Sequence, residues 1–503
     1  MQETPLPREA AAQWLLGFIL IFAPLFRAGQ PALAMLALEV LSVLLLILVF
    51  WRPKSGAVSR TEAMALGLLF AVPLFYLIPL PAALANWIPG REAFLGAQAL
   101  MSSGVPTGQT ATLSLYPLET ESAWLFSLVP IAVFLGTRML DARRALGLVL
   151  LLLGVAAAQS LLGLLQYGAE AGSPQLFGLS LPDIRSAVGT YTNRNHLAGL
   201  LEMVLPVAVA LMIFSIGRRS AHDARGWRER FVFLASVRGH TAVVYGAIAL
   251  LLVVGVIFTR SRAGITITMV GILLSTVLFA RRIGGDNVYG PTGTLVALAL
   301  GVGVAIGLVP VLDRFSVEGA IHDARWTIFS STLDGIGTFN PIGSGPGNFP
   351  EIYPAFRPPE LGQWFINHAH NDYLEWLFEG GLVAAALIAL LFVLYARQWG
   401  RVWTREEWSR FRFLQVGAGI GILLLMLHSL VDYNLHIPAN IVYFAFLAGI
   451  FFAAPGAALE AVGRRRGKRR TLNLEDAPIA SERSVEEPPV PPHPDQVKNP
   501  FLD

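Results

Sequence analysis

Residues 31–51 have the sequence PALAMLALEVLSVLLLILVFW, in which Glu39 is the only charged side chain. About 20 apolar residues, each adding about 1.5 Å of helix, span the hydrocarbon core of a bilayer. The segment therefore predicts a transmembrane helix. Similar runs recur along the whole chain of 503 residues, which is 54% hydrophobic and 14% charged. This composition excludes a cytosolic enzyme and a disordered scaffold, and it indicates an all-α polytopic integral membrane protein.

Apolar segments long enough to cross a membrane divide the chain into about twelve predicted spans. The first segment has a second interpretation as a cleaved signal peptide ending near residue 34, but we favour an uncleaved helix. Glu39 in the second span is either functional or a buried structural hydrogen-bond partner. The predicted spans are 10–26, 31–51, 62–85, 121–138, 144–168, 197–217, 241–259, 262–280, 293–311, 372–396, 413–431 and 438–456.

The distribution of positive charge fixes the predicted orientation. Lysine and arginine are enriched in cytoplasmic loops of membrane proteins. With both termini placed in the cytoplasm, 26 of the 37 lysines and arginines fall on the inner side and nine on the outer side. Three segments on the outer side are long enough to suggest a function, namely 86–120, 169–196 and 312–371.

The predicted organisation has four parts. Residues 1–311 hold the first nine spans, and 312–371 form a large outer loop in which 322–335 fit a short amphipathic helix. Residues 372–456 hold the last three spans. Residues 457–503 are first basic and then acidic and proline-rich, which predicts a disordered inner tail. The chain has no cysteine, which excludes disulfides and thiolate metal sites.

The densest polar patch of the outer side is HAHNDYLEWLFEGG at 368–381. The spacing of Asp372, Glu375 and Glu379 places the three carboxylates on one helical face. Helix capping accounts for an acid at the start of the predicted tenth span, but it does not account for His368 and His370. A metal site built from His368, His370 and Asp372 stays open, although such a short pattern is weak support for one.

Two further outer patches carry arginines. TRSRAG at 259–264 holds Arg260 and Arg262 in a tight hairpin. These side chains either extend toward lipid headgroups or bind phosphate oxygens through paired hydrogen bonds from their planar guanidinium groups. TYTNRNH at 190–196 adds Arg194, Asn195 and His196, which are either turn and cap residues or part of a site.

A fourth patch, HSLVDYNLHIP at 428–438, lies between the last two spans. His428, Asp432 and His436 are each four residues apart, so a continued helix would stack them on one face. Polar contacts between helices are the favoured role for these three residues.

Taken in order, five motifs resemble the O-antigen ligase and O-antigen polymerase superfamily. The large outer loop late in the chain is also similar. His370-Asn371 is followed by nine residues and then Gly381, a spacing typical of the ligases. The motifs are NHLA at 195–198, RSRA at 260–263, GSGPGNF at 343–349, HNDYL at 370–374 and HSLVD at 428–432.

The resemblance implies a GT-C-like membrane glycosyltransferase of the bacterial inner membrane with a periplasmic active site. The implied donor is a glycan on undecaprenyl diphosphate, and the implied acceptor is a sugar hydroxyl of a glycan or of lipid A-core. The reaction would serve the assembly of O-antigen, lipopolysaccharide or exopolysaccharide. Membrane lipids are implied partners, whereas a cofactor, a metal and a nucleic acid are not expected. A ligase and a polymerase use the same chemistry and stay open as alternatives.

The resemblance also implies residue roles. His370 matches the presumed general base, with His368 as an alternative two residues away. A transporter or flippase is the competing function, but the chain shows no internal repeat and its polar clusters lie at one face. The residues expected to bind substrate are Arg260, Arg262, Arg194, Asn195, His196, His368, Asn371, Asp372 and Arg325.

Overall fold

A computed structural model of the chain describes residues 7–51, 58–81, 110–168, 186–217, 236–283, 324–404 and 408–454, with short stretches between 84 and 94 and between 290 and 297. Over these residues the fold is a bundle of helices with one two-stranded sheet, Pro79–Pro81 paired antiparallel with Thr110–Thr112. The helices are α1 (Pro7–Phe22), α2 (Ala32–Phe50), α3 (Arg60–Tyr76), α4 (Pro117–Met139), α5 (Ala142–Gly168), α6 (Arg194–Ile216), α7 (Val237–Thr259), α8 (Arg262–Ile283), α9 (Ala324–Phe339), α10 (Asp372–Trp403), α11 (Arg410–His428) and α12 (Pro438–Phe451).

Eight helices of the described ranges are long and apolar enough to cross a membrane: α2, α4, α5, α6, α7, α8, α10 and α11. The chain is therefore a multi-pass, all-α membrane protein, as its composition predicts. α1, α3 and α12 are shorter, with 16, 17 and 14 residues. Most of the ninth predicted span, 293–311, lies outside the described residues, as does the predicted tail 457–503. The number twelve and the orientation in the membrane stay predictions.

α6 is the central helix of the bundle, buried along almost its whole length. It packs against α7, α8 and α11. On α11, a Cβ at Gly417 would lie 2.8 Å from the carbonyl oxygen of Pro206, and one at Gly421 would lie 2.1 Å from that of Met203. These two glycines, one turn apart, let the two backbones approach closely, as small residues commonly do between membrane helices.

The long segment before α10 has its own hydrophobic core. α9 lies inside the predicted outer loop, close to the short helix expected at 322–335, so that prediction is confirmed. α9 packs on α10. Phe339, Phe349 and Phe378 meet edge to face at the centre of this core. Ala369 is fully buried in the same cluster. Burial of Ala369 fixes the chain between the two histidines that flank it.

α10 contains a sharp bend at Gly381, where φ is 51° and ψ is −135°. A Cβ there would lie 2.2 Å from the carbonyl oxygen of Pro341, so both the conformation and the space require glycine. The hydroxyl of Tyr76 donates to the carbonyl of Gly380 at 3.1 Å and clamps the bend. The bend gives a physical reason for the glycine that follows His370-Asn371 after nine residues.

Candidate functional site

Asp432 is the centre of a polar cluster at the end of the bundle where α6, α8 and α10 begin, which we call the site end. Its side chain is fully buried. Oδ1 lies 3.3 Å from Nδ1 of His370 and 3.6 Å from Nε2 of His196. Oδ2 accepts hydrogen bonds from Nδ2 of Asn195 at 2.7 Å and from Arg325 at 3.1 Å. Four residues expected at the site therefore meet on one carboxylate.

The charge of Asp432 is stabilised by its neighbours. Burial alone would raise the pKa of Asp432, but the positive charge of Arg325 and the contacts with His196 and His370 outweigh burial and hold this pKa well below its usual range. Arg325 also donates to the carbonyl of Val431 at 2.7 Å, which fixes its guanidinium beside the carboxylate. Asp432 is thus a permanent anion at neutral pH.

His370 has an unusual backbone conformation. Its φ of 52° lies in the left-handed region, which non-glycine residues adopt uncommonly and most often as asparagine, aspartate or histidine. Residues held in sparsely populated backbone conformations concentrate at functional sites. The side chain is 24% exposed, and Nδ1 faces Asp432. The ring is therefore held on one side and open to a substrate on the other.

Asn371 and Asp372 dock the start of α10 onto the end of α11. The side chain of Asn371 caps α10 by accepting from the N–H groups of Tyr373 and Leu374, and it donates to the carbonyl of Leu430 at 2.9 Å. Asp372 is fully buried and accepts from the N–H of Leu435 at 3.0 Å. For both residues the contacts are structural, and they fix His370 relative to Asp432.

A second cluster joins two histidines to two carboxylates. Nδ1 of His436 lies 2.6 Å from Asp372, and its Nε2 lies 3.4 Å from Glu375. Nδ1 of His368 lies 2.7 Å from the same oxygen of Glu375. Burial lowers the pKa of His436, but the charges of Glu375 and Asp372 outweigh it and raise this pKa to about 10. His436 is therefore protonated at neutral pH.

His368, Glu375 and His436 also have the composition of a metal site, with ligand atoms within 4.8 Å of one another. A tetrahedral zinc ion, about 2.1 Å from each ligand, separates its ligand atoms by roughly 3.4 Å. The 2.7 Å between His368 and Glu375 is instead a hydrogen-bond distance. The geometry thus favours a hydrogen-bonded cluster, and it does not bring the expected trio of His368, His370 and Asp372 onto one point.

His428, Asp432 and His436 do not lie on one continued helix, and His428 makes the favoured polar contact between helices. α11 ends at His428, and the chain then turns. His428 pairs instead with Glu202 of α6 at 2.8 Å, and both side chains are completely buried. The turn sends Asp432 and His436 to different clusters because each binds a partner from another element.

The two hairpin arginines lie next to α6, at the same end of the bundle. Arg260 ends α7 in the left-handed conformation, and Arg262 begins α8. A Cβ at Gly264 would lie 2.6 Å from Cβ of Ala198, which shows how closely the hairpin approaches the first turns of α6. Arg194 begins α6. The three arginines therefore share the site end with the cluster around Asp432.

An apolar cavity of about 390 Å³ adjoins the second cluster. Leu435, His436 and Glu379 line it at the site end, and Glu62 and Phe452 line it farther along the bundle. The lining residues of α10 lie on both sides of the bend at Gly381, from Tyr373 to Tyr395. The remaining walls are almost entirely apolar side chains of α3, α4, α11 and α12.

Sequence reasoning did not select Asp432, Glu375, Tyr433 or His436 as site residues. Asp432 was visible in the HSLVD motif, and Glu375 in the acidic face of α10. The turn after α11 was not predicted from the spacing of these residues. Without it, the sequence could not show that Asp432 contacts His370 whereas His436 contacts Asp372.

Comparison with known proteins supports the family resemblance. No curated protein matches the chain. Residues 247–389 match the sequence model of a family described as O-Antigen ligase. This segment includes Arg260, Arg262, Arg325, His370 and their intervening helices, and it supports a glycosyltransferase-type role in surface-polysaccharide assembly. The match confirms that residues 247–389 of this membrane protein resemble the O-antigen ligase and polymerase superfamily.

Proposed function

We propose that this protein transfers a glycan from undecaprenyl diphosphate to a sugar hydroxyl of an acceptor, with His370 as general base. The observation that carries the proposal is the contact between Nδ1 of His370 and the permanently charged Asp432 at 3.3 Å. A base needs a fixed orientation, an accessible lone pair and a pKa suited to neutral pH, and an imidazole paired with a carboxylate supplies these features.

The contact with Asp432 selects the useful tautomer of His370. When Nδ1–H donates to the carboxylate, Nε2 carries the lone pair and faces away from Asp432. Nε2 then takes the proton of the acceptor hydroxyl while its oxygen attacks the anomeric carbon of the donor. The bond from that carbon to the diphosphate oxygen breaks, and undecaprenyl diphosphate leaves with the electron pair. Asp432 stabilises the imidazolium that forms.

The leaving diphosphate gains negative charge, so it requires preorganised cations. Arg260 and Arg262 suit this role because each planar guanidinium group of the hairpin can donate two parallel hydrogen bonds to phosphate oxygens. Arg194 at the start of α6 is close in sequence to Asn195, which contacts Asp432 directly. Arg325 has a different role in this proposal, because it holds Asp432 and so acts on the base.

The apolar cavity suits the lipid part of the donor. A polyprenyl chain is a long apolar ligand, and residues of α10 from Tyr373 to Tyr395 line the cavity. Its end near His436 and Glu379 adjoins the cluster that contains His368. A lipid tail in the cavity would therefore bring the diphosphate to the site end, which in this proposal is the periplasmic end.

A polymerase and a ligase attack with the same kind of sugar hydroxyl but must bind different acceptor molecules around it. A polymerase takes a second lipid-linked repeat unit, whereas a ligase takes lipid A-core. The proposed chemistry uses imidazole as the base and arginines as the cations, so a metal has no step in it.

The test is a transfer assay with the purified, membrane-reconstituted protein, an undecaprenyl-diphosphate-linked glycan and either acceptor, with EDTA present. His370→Asn is the informative variant because asparagine tolerates the left-handed backbone conformation that position 370 requires. We expect a loss of roughly 10²- to 10⁴-fold in rate. His368→Asn is the matched comparison and should lose less.

Full activity of His370→Asn would remove this residue from the mechanism. Inhibition by EDTA that a divalent ion reverses would replace the metal-free mechanism with a metal centre. Transfer to only one of the two acceptors assigns the protein as ligase or polymerase.

A further inference from the structure

Tyr433 lies among three of the site histidines. The His368 ring stacks on its ring, with centroids 4.2 Å apart and planes at 24°. The rings of His196 and His370 meet it nearly perpendicularly, with centroids 4.6 and 5.0 Å away. One aromatic side chain thus contacts histidines from α6 and from both sides of the buried Ala369.

The backbone of Tyr433 ties this ring to the carboxylate that orients His370. Its N–H donates to Oδ1 of Asp432 at 2.9 Å, the same oxygen that faces His370. The Tyr433 side chain is buried, so its ring has little freedom to move. The carboxylate and the ring therefore form one rigid unit, and His370 touches both parts of it.

We propose that Tyr433 is a positioning residue for the general base, and that its aromatic ring fixes the plane of the His370 imidazole. This inference rests on the function proposed for His370. A single hydrogen bond through Nδ1 leaves the imidazole free to rotate about the line to Asp432. A ring packed nearly perpendicular to the imidazole removes that rotation and keeps Nε2 pointed at the acceptor.

The ring of Tyr433 performs this role, and its hydroxyl does not act as an acid or base. Burial raises the pKa of Tyr433 to about 12, with the charge of Asp432 acting in the same direction. The phenol is therefore neutral at the pH of the reaction and is a poor proton acceptor there. Phenylalanine would preserve the three ring contacts, whereas leucine would keep the apolar volume without a flat face.

The experiment compares Tyr433→Phe and Tyr433→Leu in the transfer assay, with His370→Asn as the reference for loss of the base. We expect Tyr433→Phe to keep kcat within about threefold of wild type. Tyr433→Leu should lower kcat on the order of 10²-fold with KM nearly unchanged, because misplacing a catalytic group by about 1 Å has an effect of that size. The titratable groups whose rings face Tyr433 are His196, His368 and His370, and the charges of Asp432, Glu375 and Arg325 also act on it, so kcat is measured from pH 5 to 9.

The acidic limb of that profile, which reports the base, should keep its position in Tyr433→Phe and shift in Tyr433→Leu, since the imidazole loses its fixed contact with Asp432. Membrane insertion and thermal unfolding of both variants show whether leucine only unfolds the protein. Wild-type kcat and an unchanged profile in Tyr433→Leu would overturn the inference. Equal losses in both variants would also overturn it, because the hydroxyl would then matter. Activity in His370→Asn would instead overturn the proposed function.

Discussion

Asn195, at the start of α6, donates from Nδ2 to Oδ2 of Asp432, which lies 237 residues later in the chain, at a distance of 2.7 Å. This hydrogen bond joins the central helix to the turn between α11 and α12. Arg325 donates to the same oxygen from α9. Three distant parts of the chain therefore share one carboxylate, and the position of His370 depends on all of them.

The first prediction concerns the charge of Asp432. Asp432→Asn removes the anion that orients His370. The amide NH₂ of the new asparagine would also face a donor group of Asn195, Arg325 or His370, with which it cannot form a hydrogen bond. We expect transfer to fall roughly 10²- to 10⁴-fold, since the proposed base loses its tautomer and its counter-charge. Asn195→Ala is the control. It removes one hydrogen bond worth about 1 kcal/mol and leaves Arg325 and the carboxylate in place, so it should lose less activity than Asp432→Asn.

Comparable activity of Asp432→Asn and wild type would show that the carboxylate is only structural. The measurement is the rate of glycan transfer by equal amounts of folded protein, determined after size-exclusion chromatography in detergent.

The second prediction concerns the bend of α10. Gly381→Ala places a Cβ 2.2 Å from the carbonyl oxygen of Pro341 and forces a residue with a side chain into φ 51°, ψ −135°. We expect a large loss of folded protein. Gly400→Ala is the matched control in the same helix, because a Cβ there meets no atom within 4 Å and alanine favours helix by about 1 kcal/mol. Equal thermal unfolding midpoints for the two variants would contradict a required bend.

The third prediction is a pH dependence of stability. The pKa of His436 is raised to about 10 in the folded state, against about 6.5 when unfolded. The stabilisation from its charge is therefore fully present below about pH 6.5 and is lost as the pH rises toward 10. His436→Gln should flatten the dependence of the unfolding midpoint on pH over this window. An unchanged slope in the variant would assign the dependence to other groups.

The sequence was sufficient to predict a multi-pass helical membrane protein because apolar runs of membrane length rarely occur outside membrane-spanning helices. α6, α7 and α8 begin and end within a few residues of their predicted spans. The bend at Gly381 was not predicted, since a glycine within an apolar helix is common in membranes and its φ depends on Pro341, which is distant in sequence.

Much of the candidate site also followed from sequence, but its internal connections did not. Asn195, His370 and Arg325 were selected as separate patches, and only the fold shows that they share Asp432. The spacing of His428, Asp432 and His436 suggested one continuous helix. The chain turns after His428 because Asp432 and His436 each bind a partner on a different helix, which a local pattern cannot indicate.

The fourth prediction tests the orientation. It rests on the excess of lysine and arginine in the predicted inner loops. A reporter fused after Pro341 should be periplasmic, and one fused after Arg405 should be cytoplasmic. Alkaline phosphatase activity at the first position and green fluorescence at the second would agree with a periplasmic site. The opposite pattern would place the site end in the cytoplasm and exclude a donor presented in the periplasmic leaflet.

The last prediction concerns the hairpin between α7 and α8. If Arg262 grips diphosphate oxygens with two parallel N–H groups, Arg262→Lys should impair transfer although the charge is kept, because an ammonium is a point charge and not a planar fork. Arg281→Lys is the matched control, since Arg281 lies at the opposite end of the same helix. We expect KM for the lipid-linked donor to rise and kcat to fall for Arg262→Lys, with Arg281→Lys unchanged. KM should rise because the bound donor diphosphate loses a contact, and kcat should fall because the leaving diphosphate binds arginine more tightly in the transition state than in the ground state. Wild-type kinetics for both Arg260→Ala and Arg262→Ala would assign these side chains to lipid headgroups instead, and the diphosphate would then need other cations.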